Sequence, residues 1–215
     1  MPFKRAQTSV PVLEAIASRW SGRAIDPDRP VRREHLLAMF EAARWAPSCF
    51  GDQPWHYVFG NRFRSEFGWQ RAFDCLTTGN QLWAKNAPVL ILSVASAEFR
   101  RDGRPNRWSQ HDTGAASENL CLQGVALGLV VHQMGGFSVQ RARESFAIPR
   151  DCQPMAIIAV GHPAPVDSLE GELRDKELAQ RERLPLEECV FEDRWGVPWS
   201  RRVDDNEEQL NWPAP

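Results

Sequence analysis

The stretch Pro88-Val89-Leu90-Ile91-Leu92-Ser93-Val94-Ala95 gives the clearest indication of the fold. Nearly all of its side chains are apolar and several are β-branched, which favours an extended strand. A strand with one solvated face would alternate apolar and polar residues, so a continuous apolar run indicates a strand covered on both faces. Ala156-Ile157-Ile158-Ala159-Val160 has the same character and ends at Gly161. The sequence therefore predicts two buried strands.

Helical patterns surround these two segments along the chain. Apolar residues that recur every three or four positions predict helices. Helices are predicted over about 11–20, 62–76, 113–131, 139–146 and 168–180. The last of these is rich in charge and is expected to be solvated. One more is predicted from Leu36, Leu37, Phe40 and Ala43, and it ends at Pro47. His56-Tyr57-Val58-Phe59 predicts one more strand, and Gly135-Gly136-Phe137 predicts a turn.

Length and composition predict one folded domain over residues 1–215. The chain is 42% hydrophobic, which suffices for a buried core. Its last part, from about 191 to 215, carries Trp195, Trp199 and Trp212 among charges and prolines. Such an aromatic tail is expected to dock on its own domain or on a partner subunit.

Charge and motif content exclude several classes of function. The 26 basic and 28 acidic residues give a net charge of −2, whereas nucleic-acid binders normally carry a basic excess. The longest apolar run, about 87–97, is too short to span a bilayer. No Gly-rich dinucleotide or P-loop motif is present. We therefore expect neither nucleic acid nor a membrane as a partner.

The cysteines and histidines indicate no metal site. The five cysteines are odd in number and form no Cys-x-x-Cys pair, which argues against a disulfide framework and a thiolate metal site. The five histidines lack ligand spacing. No apolar segment typical of a signal peptide follows the N-terminus. These features predict a reducing, cytoplasmic location.

Three polar segments are candidates for a binding site. Arg19, Ser21 and Arg23 follow the first helix and could clamp phosphate oxygens. The alternative is a solvated helix end, because arginines stabilise a helix C-terminus. Their spacing alone favours this alternative. The turn 47–53 offers hydroxyl and amide donors or simply ends a helix. Gly135-Gly136 would let main chain approach a ligand closely, or is a plain connector.

Six motifs, in a fixed order, resemble the nitroreductase family. They are Arg19-x-Ser21-x-Arg23 with Asp26-Pro27; Glu41-Ala42-Ala43-Arg44-Trp45-Ala46-Pro47-Ser48 with Gln53-Pro54-Trp55; Asn86-Ala87-Pro88; Asn119-Leu120-x-Leu122 with Gly128-Leu129 and Gly136-Phe137; Val160-Gly161-His162-Pro163; and Arg181-x-Arg183-x-Pro185-Leu186. The ordered set spans roughly residues 12–190 and favours the phosphate interpretation of the arginines.

The resemblance implies an α+β fold, with a mixed, mostly antiparallel sheet wrapped by helices. It also implies an intertwined homodimer that holds two FMN molecules at its interface, with half of each pocket from each chain. The turn at 47–53 would then reach the flavin of the partner subunit. The tryptophans of the tail would be buried across the same interface.

The resemblance further implies which residues contact FMN. They are Arg19, Trp20, Ser21, Arg23, Pro47, Ser48, Cys49, Gln53, Asn80, Gly135, Gly136, Arg181 and Arg183. Arg19 and Arg183 would hold the phosphate, and Arg181 and Ser21 would assist. Arg23 would lie near the pyrimidine end and tune the ring. A main-chain N–H of the glycine turn would face flavin N5. Asn80 is either a contact on the flavin edge or a turn residue.

The activity implied is ping-pong reduction of an electron-poor acceptor, such as a nitroaromatic or a quinone, by NAD(P)H. No side chain need act as acid or base, because the flavin carries the chemistry. Cys49, Gly51 and Gly135 depart from the family pattern, which commonly has serine, asparagine and a carboxylate or amide there. These departures leave open a flavin-dependent dehydrogenase or oxidase, a dehalogenase or flavin-fragmenting enzyme, and a non-catalytic flavin-binding protein. A plain interaction module without flavin is a further alternative.

Overall fold

The computed structural model describes residues 4–199. Helices and strands alternate irregularly along the chain, as expected for an α+β protein. The helices are α1 (Glu14–Ser18), α2 (Arg33–Arg44), α3 (Glu66–Cys75), α4 (Thr78–Ala84), α5 (Ser109–Ala126), α6 (Val139–Ser145) and α7 (Gly171–Leu178). The strands are β1 (Trp55–Asn61), β2 (Val89–Ser96), β3 (Val130–Met134) and β4 (Cys152–Gly161).

The four strands form one sheet in the order β1-β2-β4-β3, and all neighbours are antiparallel. The two apolar runs of the sequence are the central strands β2 and β4. Val89 lies opposite Val160 at one end of this pair, and Ser96 lies opposite Cys152 at the other. The prediction of two buried strands is therefore confirmed, and their central position explains why both faces are apolar.

Alternate residues of β2 enter two different cores, one on each face of the sheet. Leu90 and Leu92 pack in a core with the buried indoles of Trp69 in α3 and Trp83 in α4. Their neighbours Val89 and Ile91 pack in the opposite core with side chains from α2 and α5. This two-residue period follows from the pleat of a strand. Helices thus cover both faces, as predicted.

The predicted helix 113–131 is wrong at its C-terminal end. α5 ends at Ala126, and Gly128 adopts a φ of 74°, which a side chain would oppose. The N–H of Leu129 then donates to the Gly124 carbonyl at 2.9 Å, and the chain enters β3. The apolar residues of β3 continued the helical spacing and hid the strand.

One further helix prediction and one turn prediction need correction. The first helix covers only Glu14–Ser18, because the chain is already extended at Arg19. The segment around Asn80, considered as a turn, is helix α4. Thr78 and Gly79 at its start are poor helix formers, but tertiary packing of Trp83 outweighs that propensity. α7 is largely exposed as expected, except for the buried side chain of Glu177.

The described part of the aromatic tail forms a small hairpin. The N–H of Trp199 donates to the Val190 carbonyl at 3.0 Å, and the Glu192 N–H donates to the Val197 carbonyl at 3.0 Å. The Trp195 side chain at its tip is 89% exposed. Trp212 lies outside the described residues. Among residues 4–199, no helix has the length and apolar content needed to cross a bilayer.

Candidate functional site

Two of the arginines singled out in the sequence, Arg19 and Arg183, lie near a third, Arg181. Burial lowers the pKa of the Arg181 guanidinium, and the positive charges of Arg19 and Arg183 lower it further. Charges act on each other in this way only when they are close, since solvent screens distant pairs. Segments more than 160 residues apart in the chain therefore meet at this cluster.

Arg181 also has a structural role at the centre of the cluster. One terminal nitrogen of its guanidinium donates to the carbonyl of Lys4 at 2.7 Å and to the carbonyl of Ala17 at 2.9 Å. These bonds join the N-terminal segment, the end of α1 and the segment after α7. A guanidinium has five N–H donors, so further donors remain after these two contacts.

Arg19 lies between Ser21 and helix α5. Its guanidinium donates to Ser21 Oγ at 3.4 Å, and its Nε lies 3.4 Å from a carboxylate oxygen of Glu118. Burial raises the pKa of Glu118, and the charge of Arg19 opposes that rise. Arg19 therefore has one carboxylate partner, which α5 supplies.

Glu177, which the sequence analysis missed, fixes the main chain of the cluster. Its buried carboxylate accepts the N–H of Arg23 at 3.0 Å and the N–H of Ala24 at 3.2 Å. Burial lowers the pKa of Lys4, and the negative charge of Glu177 opposes that shift. The Lys4 ammonium lies 4.5 Å from the centre of the Trp20 ring. No sequence pattern distinguishes Glu177 from its charged neighbours in α7, because its partners are 153 and 154 residues away.

The charge balance of the cluster fits an anionic ligand. Among the ion pairs of residues 4–199, none involves Arg23, Arg181 or Arg183. Guanidiniums without a carboxylate partner are well suited to a phosphate group, which offers several acceptor oxygens. The donor set therefore fits the phosphate of a nucleotide-like cofactor.

His132 in β3 connects the cluster to the sheet and was also missed. Its Nδ1 lies 3.1 Å from the Gly22 carbonyl, which can only accept, so Nδ1 carries the proton. Its ring stacks on Trp83 with the ring centres 4.5 Å apart. Burial lowers the pKa of His132 to about 4, and the nearby Arg23 and Arg19 contribute. A neutral His132 therefore holds the segment that carries the arginines.

The turn at 48–53 is strained and firmly anchored. Phe50 and Gln53 have φ values of 55° and 51°, which cost energy for residues other than glycine. Ser48 Oγ accepts the N–H of Gln53 at 3.0 Å, and the Cys49 N–H donates to the buried carboxylate of Asp112 at 2.9 Å. The turn is thus tied to α5, the helix that also carries the carboxylate beside Arg19.

The anchored turn presents an aromatic side chain to solvent. Phe50 is 71% exposed, and the guanidinium carbon of Arg101 lies 4.0 Å from the centre of its ring. Pro47 and Gln53 are also exposed, whereas Ser48 and Cys49 are partly buried. These four predicted contacts share one exposed turn.

The glycine turn follows directly after β3. The carbonyl of Gly136 accepts the N–H of Thr77 at 3.0 Å, the hydroxyl of Thr77 at 3.1 Å and the side-chain amide of Asn80 at 3.0 Å. Asn80 is therefore placed beside Gly136 by α4. Because β3 also carries His132, one short strand links the glycine turn to the arginine segment.

The predicted residues thus fall into two groups in the single chain. One contains the arginine cluster and, one strand away, the glycine turn with Asn80. The other is the turn at 48–53 near the start of α5. The roles of both groups toward a ligand are predictions.

The family model of the nitroreductase family matches residues 16–62 and 63–162. The chain belongs to the nitroreductase family. It is 31% identical over 157 residues to a protein of Methanothermobacter thermautotrophicus, provisionally named NADH dehydrogenase/NAD(P)H nitroreductase. That match covers 71% of this chain and 78% of the relative.

Solved structures of similar fold include flavoproteins. A crystal structure of an oxidoreductase containing FMN has 33% identity and a TM-score of 0.82, and the match covers 89% of this chain and 96% of that one. A nitroreductase of provisional name from Desulfovibrio desulfuricans, in complex with FMN, has 26% identity and a TM-score of 0.65. That match covers 87% of this nitroreductase-family chain and 99% of the other.

Proposed function

We propose that this nitroreductase-family protein is an FMN-dependent oxidoreductase that uses NAD(P)H to reduce an electron-poor small molecule. The observation that carries the proposal is the pair of hydrogen bonds by which Arg181 joins the segment after α7 to the N-terminal segment and to the end of α1, next to Arg19. Among the ion pairs of residues 4–199, only Arg19 of the arginines at this cluster has a carboxylate partner. Two relatives of similar fold contain FMN, which supports the same assignment.

The phosphate of FMN would be bound by Arg19 and Arg183, with Ser21 as a hydroxyl donor. Arg181 would mainly hold the cluster together, because its guanidinium already binds the carbonyls of Lys4 and Ala17. It would still add positive charge to the site. This refines the expectation that Arg181 only assists phosphate binding.

The ring of FMN would lie beside Arg23 and the glycine turn. When bound, FMN supplies the hydride chemistry, taking a hydride from NAD(P)H and giving it to the acceptor in a separate half-reaction. Arg23 would favour negative charge at the pyrimidine end, and Glu177 would fix the main chain from which Arg23 projects. No side chain is assigned as a proton donor or acceptor.

The proposal includes a homodimer. Ser48, Cys49, Gln53 and Pro47 would contact the flavin of the partner subunit, as the family resemblance implies. The exposed turn that carries them is anchored to α5 through Asp112. The exposed Trp195 is expected to be covered by the partner, since a large exposed indole is typical of an interface. We place the protein in the cytoplasm, as its cysteine pattern predicts.

The absorption spectrum of the purified protein tests the proposal. We expect a yellow protein whose flavin bands are bleached by NADH or NADPH under anaerobic conditions and restored by a quinone or a nitroarene. A yellow protein that neither nicotinamide bleaches would favour a dehydrogenase, an oxidase or a flavin-binding protein. A colourless protein that takes up no added FMN would contradict the proposal.

A further inference from the structure

The carbonyl of Gly136 is held by more donors than a turn needs. Three donors from the start of α4 converge on it: the N–H and hydroxyl of Thr77 and the side-chain amide of Asn80, all within 3.1 Å. A carbonyl oxygen has two lone pairs, so this acceptor is saturated. The peptide between Gly136 and Phe137 is therefore fixed in orientation.

The close approach of Asn80 is possible only because position 136 is glycine. A Cβ built on Gly136 would lie 2.6 Å from Asn80 Nδ2 and 3.0 Å from Thr77 Oγ1. A Cβ on Gly135 would meet nothing within 4 Å. The two glycines thus differ: Gly136 is enclosed by its own protein, whereas Gly135 borders open space where a ligand can lie.

The fixed peptide also orients the one before it. The N–H of Phe137 donates to the Gly135 carbonyl at 3.1 Å. All peptides among residues 4–199 are trans, so the Gly136 N–H points away from that carbonyl. No main-chain carbonyl among these residues accepts the Gly136 N–H. The turn therefore presents one unpaired donor with a defined direction.

We infer that Thr77 and Asn80 are positioning residues that aim the Gly136 N–H at flavin N5. The inference rests on the proposed function, and it differs from the sequence-based expectation that Asn80 itself contacts the flavin. In this arrangement the Asn80 amide acts through the turn. A donor held in advance at the reacting atom needs no reorganisation during hydride transfer, and for this reason it accelerates the reaction.

The test compares Asn80→Ala, Asn80→Asp, Thr77→Val and Thr77→Ser in the FMN-loaded protein. Stopped-flow reduction by NADH should slow about tenfold in the first three variants, because each removes one donor to the Gly136 carbonyl. The FMN dissociation constant should stay within about threefold of its original value, since this turn does not bind the phosphate. Asn80→Asp keeps the size of the side chain but cannot donate, whereas Thr77→Ser keeps the hydroxyl and should restore the rate.

Thr78→Val serves as the matched control. Thr78 is the exposed neighbour of Thr77. Its substitution should change neither the rate of reduction by NADH nor the FMN dissociation constant. Wild-type reduction rates in Asn80→Ala and Thr77→Val would overturn the inference. So would a parallel loss of FMN affinity, rate and thermal stability, which would indicate a merely structural role.

Amide hydrogen exchange in the flavin-free protein provides a readout that does not depend on FMN. Asn80→Ala should speed exchange at the Phe137 N–H at least about tenfold, because the turn loses its anchor. Unchanged exchange would overturn the positioning role. If the unsubstituted protein binds no FMN, the proposed function fails and the assignment to N5 fails with it. If it binds FMN and is reduced while the variants behave like Thr78→Val, only the inference fails.

Discussion

The arginine cluster and the glycine turn are both connected to β3, one through His132 and the other through the chain itself, and they are built on opposite principles. The cluster consists of long charged side chains near Arg181, and these side chains come from segments that are distant in the chain. The turn offers no side chain at all, and its main chain is fixed by α4 through Asn80 and Thr77. Charge suits the binding of a phosphate, whereas a fixed main-chain donor suits a reacting atom. In the proposed function, affinity and reactivity would therefore be supplied by different regions.

Removal of charge from the cluster should have the largest effect. We expect the double variant Arg19→Ala/Arg183→Ala to weaken FMN binding by about 100-fold or more, because each charge-assisted hydrogen bond contributes about 1.5–3 kcal/mol. Fluorescence titration of the flavin-free protein measures the change. Arg174→Ala is the matched control. Arg174 lies on α7, and its guanidinium pairs with a carboxylate oxygen of Asp167 at 3.1 Å. Equal losses in both variants would argue against a phosphate site.

His132 in β3 holds the arginine segment through the Gly22 carbonyl and should make the stability of the protein depend on pH. Its pKa is about 4 in the folded protein, below the ordinary value of 6.5. Above pH 6.5 the imidazole is neutral in both the folded and the unfolded protein, so it contributes nothing to the pH dependence of the free energy of unfolding. As the pH falls from 6.5 to about 4, only the unfolded chain binds the proton, so stability is lost. The total loss is about 3 kcal/mol.

Urea unfolding of His132→Gln between pH 4.5 and 7.5 checks this expectation. The variant should lose less stability than the original protein as the pH falls. His111→Gln is the control, because the His111 side chain is 83% exposed. An identical pH slope in the original protein and in His132→Gln would refute the assignment.

Arg23 gives the smallest and most discriminating effect. Its main chain belongs to the cluster, but its guanidinium is proposed to lie at the flavin ring. Arg23→Ala should slow flavin reduction by NADH about tenfold and change FMN affinity by less than about threefold. Arg183→Ala should do the reverse. Similar effects of both variants on both steps would remove the division between affinity and reactivity.

Much of the fold could be predicted from local sequence, because burial on two faces leaves a continuous apolar run. This is why β2 and β4 were found and placed correctly as buried strands. β3 was missed because Val130 and Val131 extend the apolar spacing of the preceding helix. α4 was missed because its start has poor helix propensity and is stabilised by packing of Trp83.

The candidate site was predictable only in part, and for a different reason. Motifs pointed to Arg19 and Arg183, but they carry no information about the groups that hold them. Glu177 binds main chain 154 residues away, and Asn80 binds Gly136 across 56 residues. Such partners are specified by the three-dimensional fold, so a single sequence does not reveal them.

The central claim is that arginines from distant segments converge to bind the phosphate of FMN. Parallel titrations of the flavin-free protein with FMN and with riboflavin, which lacks the phosphate, test it most directly. We expect the protein to prefer FMN by about 100-fold or more, and Arg19→Ala/Arg183→Ala to bind both ligands with similar, weak affinity. Equal affinity of the unsubstituted protein for FMN and riboflavin, or an FMN preference that survives the double substitution, would contradict the claim.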